Sequence, residues 1–197
     1  MFDDKAQLHT LEGVAASTLI LLVIIYAIDA TSMTPLTSST SSVQVETELA
    51  LLGQDILNTL DYTEPGEISN FKKDIINWDG NQYQWSGKKY LEDGNIENNI
   101  SNNITEILNI TLISKGIAHR LEVSYLLNNS NTTSVSCPRT MIYAGVPSDN
   151  AVIVSRKIVL QDSDIIRDPN STNPIYDIYP ATGLWNIVDV KLVLWRT

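Results

Sequence analysis

Sixteen consecutive residues, from Gly13 to Ile28, carry no charged side chain and lie between Glu12 and Asp29. A helix made from them has no polar face, whereas a helix on the surface of a soluble core keeps one. A bilayer core takes about 20 apolar residues, and roughly 17 at the least, so the run is at the short end for a lone spanning helix. It also falls within the range of a signal-peptide core. The flanks speak against an ordinary cleaved leader. Asp3 and Asp4 outnumber Lys5 where a positive segment belongs, and no A-x-A pattern ends at Ala30. The reading that remains is an apolar helix kept on the protein, held either in a membrane or against other such helices.

The rest of the composition narrows the function. A net charge of -10, with 13 Lys and Arg against 23 Asp and Glu, gives no clustered cations for a phosphate backbone, so nucleic acid is not an expected partner. Cys137 is the only cysteine, which rules out an intramolecular disulfide and any zinc site built on paired thiolates. His9 and His119 are the only histidines, too few for a His-rich metal site. The chain is read as a non-enzyme, with no cofactor and no metal.

Polar surface comes instead from Asn, Ser and Thr. Six Asn-x-Ser/Thr sequons begin at Asn99, Asn103, Asn109, Asn128, Asn131 and Asn170. All follow the apolar run, and their use as glycan acceptors requires the carboxy-terminal part to be exported.

The segment before the run, Ala6-Gln-Leu-His-Thr-Leu-Glu12, resembles the amino terminus of archaeal type IV pilins and archaellins. In those proteins a peptidase cuts after a small residue and leaves the apolar helix on the mature chain. The resemblance implies processing at Ala6 and Gln7 and a role for Glu12 in pairing with the terminal amine of a neighbouring subunit. A cut between Ala6 and Gln7 places Glu12 sixth, and a cut after Gln7 places it fifth. Glu12 also reads as a solvated flank of a membrane anchor. Together with Thr34-Pro-Leu-Thr-Ser38, Val146-Pro-Ser-Asp-Asn-Ala-Val152 and the ending from Trp185 to Arg196, this head resembles an archaeal family of membrane-anchored, pilin-like proteins of haloarchaea and methanogens. Gly13, Ala15 and Ala16, with Ser17, are small enough to let such helices approach closely, and are assigned with Glu12 to assembly.

Downstream, a Ser/Thr-dense stretch from Thr31 contains Pro35, and Val45, Leu49, Leu52, Ile56 and Leu60 then recur at helical spacing. These are read as a Pro-kinked continuation of the first helix, ended by Asp61-Tyr-Thr-Glu-Pro-Gly66. Strands are expected around Tyr83 and Trp85, from His119 to Leu127, at 140–144, 151–160 and 184–195, with the Asn-rich 95–103 as an exposed loop. The expected fold class is α+β: a long N-terminal pilin-like spine followed by a mostly antiparallel sheet. The division is a head at 1–12, an apolar helix at 13–30, its polar continuation at 31–62 and an exported β-rich domain at 63–197.

Several chemical motifs are weighed and set aside. Ser69-Asn-Phe-Lys72 and Ser148-Asp-Asn150 match two elements of penicillin-recognising serine enzymes, but the K-T-G element is missing. Asp162, Asp164 and Asp168 lack EF-hand order and read as a solvated acidic loop. Cys137 reads as small and partly buried, with an intermolecular disulfide or a lipid attachment as the alternative. His119 reads as a core histidine. The expected function is a structural subunit of an extracellular type IV pilus-like filament. It would assemble through its own N-terminal helices at the cell surface, from the membrane, with copies of itself or other pilin-like subunits. The alternative is a membrane-anchored, pseudopilin-like surface protein whose β domain binds a partner or ligand.

Overall fold

The computed structural model describes residues 12–25, 36–129, 132–165 and 173–196. The chain divides into two compact units, Met1–Gln44 and Val45–Thr197. In the first, residues 12–25 form helix α1. Helix α2, Leu36–Asp61, starts in the first unit, and its residues from Val45 on belong to the second.

The second unit continues with α3 (Asn70–Ile76), β1 (Tyr83–Trp85), β2 (Tyr90–Glu92), β3 (Asn95–Ile100) and α4 (Asn103–Thr111). The strands β4 (Ile117–Asn129), β5 (Thr132–Val135), β6 (Arg139–Tyr143), β7 (Val152–Gln161) and β8 (Leu184–Arg196) complete it. They form one eight-stranded sheet in the order β3-β2-β1-β6-β4-β8-β7, with β5 paired to β4.

Strand alternation sorts the two faces. His119, Leu121, Val123 and Tyr125 of β4 stand opposite Leu194, Leu192, Val190 and Val188 of β8. Those β8 residues in turn face Val152, Val154, Arg156 and Ile158 of β7. This face is buried with Leu49, Ile56, Leu57 and Leu60 of α2, Phe71 and Ile75 of α3, and Ile104 and Leu108 of α4 in one core. On the opposite face stand the ion pairs Arg120–Glu122 and Lys157–Asp189. A smaller apolar patch of Ala118, Val193 and Trp195 accompanies them there.

Local signals set the connections. Ser69 caps α3 by accepting the Lys72 N–H. Asp93-Gly94 turns β2 into β3, with Gly94 at φ +82° as a tight hairpin turn demands. Asn102 and Thr105 make a reciprocal capping box that starts α4. Regular β4–β8 pairing ends at Tyr125 and Val188. There the fully buried Asn186 side chain takes over, accepting from Leu126 N at 3.0 Å and donating to Leu126 O at 3.1 Å and Tyr176 O at 2.9 Å.

The expected fold class is corrected at two points. There is no long apolar helix among the described residues: α1 covers 14 residues, about 21 Å at 1.5 Å per residue, and α2 is amphipathic with a Ser/Thr-rich start. No helix among them is long and apolar enough to cross a membrane. The sheet is also larger than expected and mixed, because β1 pairs with β6 in parallel. That pairing joins segments separated by a hairpin, a helix and the long β4, and alternation within one strand cannot reveal it. The Asn-rich 95–103 is not a loop but contains β3, the Asn102 cap and the first residue of α4. Pro35, where a kink was expected, lies outside the described residues.

Gly53 marks the closest approach of α2 to the sheet. A Cβ there would lie 2.7 Å from Val154 Cγ2 and 2.9 Å from Leu194 Cδ1. Gly53→Leu is therefore expected to lower stability by about 1–3 kcal/mol through overpacking. Urea unfolding of the full chain in detergent, followed by Trp fluorescence, measures it; an unchanged midpoint would contradict the helix–sheet contact.

Candidate functional site

The feature of α1 that matters is its surface. Val14 is 66% exposed, Leu19 64%, Leu22 60% and Ile25 59%, and even the most covered apolar residue, Ile24, is 49% exposed. These positions run round the whole helix, so no face is polar. The two hydroxyls on it turn inward: Ser17 Oγ donates to Val14 O at 2.9 Å and Thr18 Oγ1 donates to the same carbonyl at 2.7 Å. Satisfied within the helix, they add no polar demand on the surroundings. Glu12 is the first described residue of the helix. Gly13, Ala15 and Ala16 follow it, all exposed, and a Cβ at Gly13 would meet nothing within 4 Å. The structure thus places Glu12, Gly13, Ala15 and Ala16 on one helix. Ala6 and Gln7 lie outside the described residues.

The motifs with chemical potential are tied into the fold. Ser69 is 2% exposed, and its hydroxyl donates to Asp61 Oδ1 at 3.3 Å while capping α3. Lys72 Nζ is turned away to Asp164 at 2.9 Å, so the S-x-x-K match is a helix cap and an ion pair. Asp164 also accepts from Gln161 N at 3.0 Å. It is a structural anchor, not part of the solvated loop the sequence suggested; Asp168 lies outside the described residues. No group of three His, Cys, Asp or Glu among the described residues is placed to hold a metal ion. Cys137 is exposed, against the expectation of partial burial.

Sequence reading missed three long-range polar links, the first partly buried. Asp61 Oδ2 receives Arg156 Nε and a second guanidinium nitrogen, each at 2.6 Å, tying the end of α2 to β7. Asp74 of α3 accepts from Ile104 N at 2.8 Å and from Asn103 Nδ2 at 3.3 Å, which satisfies the N-terminus of α4. Burial holds its carboxyl above the ordinary carboxylate value. His119, fully buried, meets Tyr90 Oη through Nε2 at 2.8 Å and Ile117 O through Nδ1 at 3.4 Å. A carbonyl only accepts, so Nδ1 carries the proton and the Tyr90 hydroxyl donates to Nε2. A histidine on an apolar strand face was the available signal, since a buried ring nitrogen needs a partner.

The sequons divide. Asn99, Asn109 and Asn128 are exposed and Asn103 is half-buried on Asp74, while Asn128 donates through Nδ2 to Ile178 O at 3.0 Å. Asn131 and Asn170 lie outside the described residues.

The profile of a family of unknown function, DUF7288, matches residues 5–194. The chain belongs to this family. The DUF7288 chain is also 31% identical over 196 residues to an uncharacterized protein of Archaeoglobus fulgidus, covering 99% of this chain and 94% of the relative. No solved structure matches it. The match to DUF7288 spans the residues of α1 and of all eight strands but the last two residues of β8.

Burial lowers the His119 pKa from 6.5 to about 4. Protonation therefore favours the unfolded chain: the contribution of His119 is complete above about pH 6.5 and is lost as pH falls toward 4, by about 3 kcal/mol in full. Asp74, with its raised pKa, acts in the opposite direction. Unfolding free energies of wild type and His119→Gln between pH 7 and 4 isolate the histidine. A shallower decline in the variant is expected, and parallel curves would contradict the assignment.

Proposed function

We propose that this DUF7288 protein is a structural, non-catalytic subunit of an extracellular archaeal filament related to type IV pili, assembled at the cell surface through its N-terminal helix. One observation carries the reading: α1 is apolar on every side and exposed, with its hydroxyls bonded inward. Contiguous apolar surface on this scale marks an interaction site, and helices of other copies supply apolar surroundings along its length. The small residues Gly13, Ala15, Ala16 and Ser17 allow close approach between neighbours. Such packing is head-to-tail and open, as a growing filament requires. The resemblance of the Ala6 to Glu12 segment to archaeal pilins supports the same reading. Glu12 would then pair with the amine of a neighbouring subunit, because a carboxylate among apolar helices is costly alone. Copies of this chain and other pilin-like subunits are the partners.

Electron microscopy of cell-surface material from an archaeal host producing the full chain tests this. Antibody-labelled filaments are expected from wild type, and their loss from Ile20→Asp. Recovery of the protein only as detergent-extracted monomers would overturn the filament and leave a membrane-anchored surface protein.

A further inference from the structure

We propose that Asn99 is an N-glycan acceptor of this chain and that Asn103 and Asn128 are not, although all three head sequons; the inference rests on the exported placement proposed above. In N-glycosylation the Asn Nδ2 attacks the anomeric carbon of a polyisoprenyl-phosphate-linked oligosaccharide. The N–C bond forms as the bond from that carbon to a phosphate oxygen breaks. The lipid phosphate leaves with the electron pair, and the amide gives up one proton to a base of the transferase. Three things are therefore required of a folded acceptor. Its Nδ2 must be free of competing bonds, its backbone must be extended enough for the hydroxyl two residues on to be read beside it, and there must be room.

Asn99 meets all three. It lies on β3, an edge strand paired only with β2, and it is exposed. Residues two apart in an extended strand share a face, and Ser101, also exposed, directly follows the strand. Lys89 Nζ donates to Asn99 Oδ1 at 3.4 Å, which leaves the Nδ2 hydrogens to solvent. An open cleft of about 440 Å³ lies alongside, lined by Asn99 with Lys88, Lys89, Ser101 and Asn109.

The other described sequons fail on geometry. Asn103 spends its Nδ2 on Asp74, and its partner hydroxyl on Thr105, 6% exposed, is locked in the capping box that starts α4. Asn128 spends its Nδ2 on Ile178 O, and its own N–H donates to Tyr176 Oη at 3.0 Å. Asn109 has an exposed side chain but sits inside α4, where residues two apart point about 200° apart around the axis. Its Thr111 hydroxyl donates back to Ile107 O at 2.5 Å. Asn109 would be modified only where the helix unwinds, and ranks below Asn99.

The test uses the full chain in an archaeal host with an active N-glycosylation pathway. Protease treatment of intact cells reports export, and glycopeptide mass spectrometry reports the acceptor. A glycan on the Asn99 peptide is expected, absent from Asn99→Gln and Ser101→Ala, with the Asn103 and Asn128 peptides bare. A protease-accessible chain with Asn99 unmodified, or a glycan on Asn103 or Asn128, would overturn the inference while leaving export intact. A chain shielded from protease, with Asn99 bare, would overturn both.

Discussion

Val188, Val190, Leu192 and Leu194 of β8 are each fully buried, and the second unit is organised around that row. β8 pairs along most of its length with β4 on one side and β7 on the other, so its apolar residues are flanked by a strand on each side. The helices α2, α3 and α4 are amphipathic or short and bury their apolar sides on the same face. Burying a Leu or Val fully is worth roughly 1.5–3 kcal/mol, and this one face collects most of the large buried side chains. The unit from Val45 onward thus has its own core. The apolar surface of α1 is a separate matter, exposed on all sides and in need of surroundings from elsewhere.

Polar groups inside the second unit are consistent with a scaffold. A buried donor or acceptor left unpaired costs about 1–3 kcal/mol, and among the side-chain atoms of the described residues only Arg120 Nε and Asp189 Oδ1 are buried without a hydrogen-bond partner. Asn186 replaces a strand partner for Leu126, Asp74 satisfies the start of α4, and Tyr90 and His119 satisfy each other. Each ties together elements distant in sequence. Two groups that sequence inspection marks as reactive, Ser69 and Lys72, serve the fold as a helix cap and an ion pair.

How much of this was legible in the sequence depended on the range of the forces involved. The helix through Leu49, Ile56 and Leu60 and the strands through His119 and Val190 announce themselves because a single buried face imposes a period on its own residues. The edge strand β3 and helix α4 were missed, though their signals are local: Asp93-Gly94 is a hairpin turn, and Asn102 with Thr105 is a capping box. The density of Asn masked both. The parallel pairing of β1 with β6 and the Arg156–Asp61 link had no local signature, being contacts between segments far apart in the chain. At the candidate site, the apolar character of α1 and the small residues beside Glu12 were readable from composition alone. The sorting of the sequons was not, because it turns on whether an amide hydrogen is already bonded to Asp74 or to Ile178 O.

The account stands or falls on whether apolar surroundings cover α1 in the cell. Thiol reactivity in intact cells measures that directly, with a membrane-impermeant maleimide applied to a chain carrying Ile20→Cys and Cys137→Ser. Wild type, whose Cys137 is exposed, serves as the reference for an open thiol. Protection of the introduced thiol, relieved only by detergent, is the predicted result. Labelling as fast as that of Cys137 in the wild-type chain would contradict it.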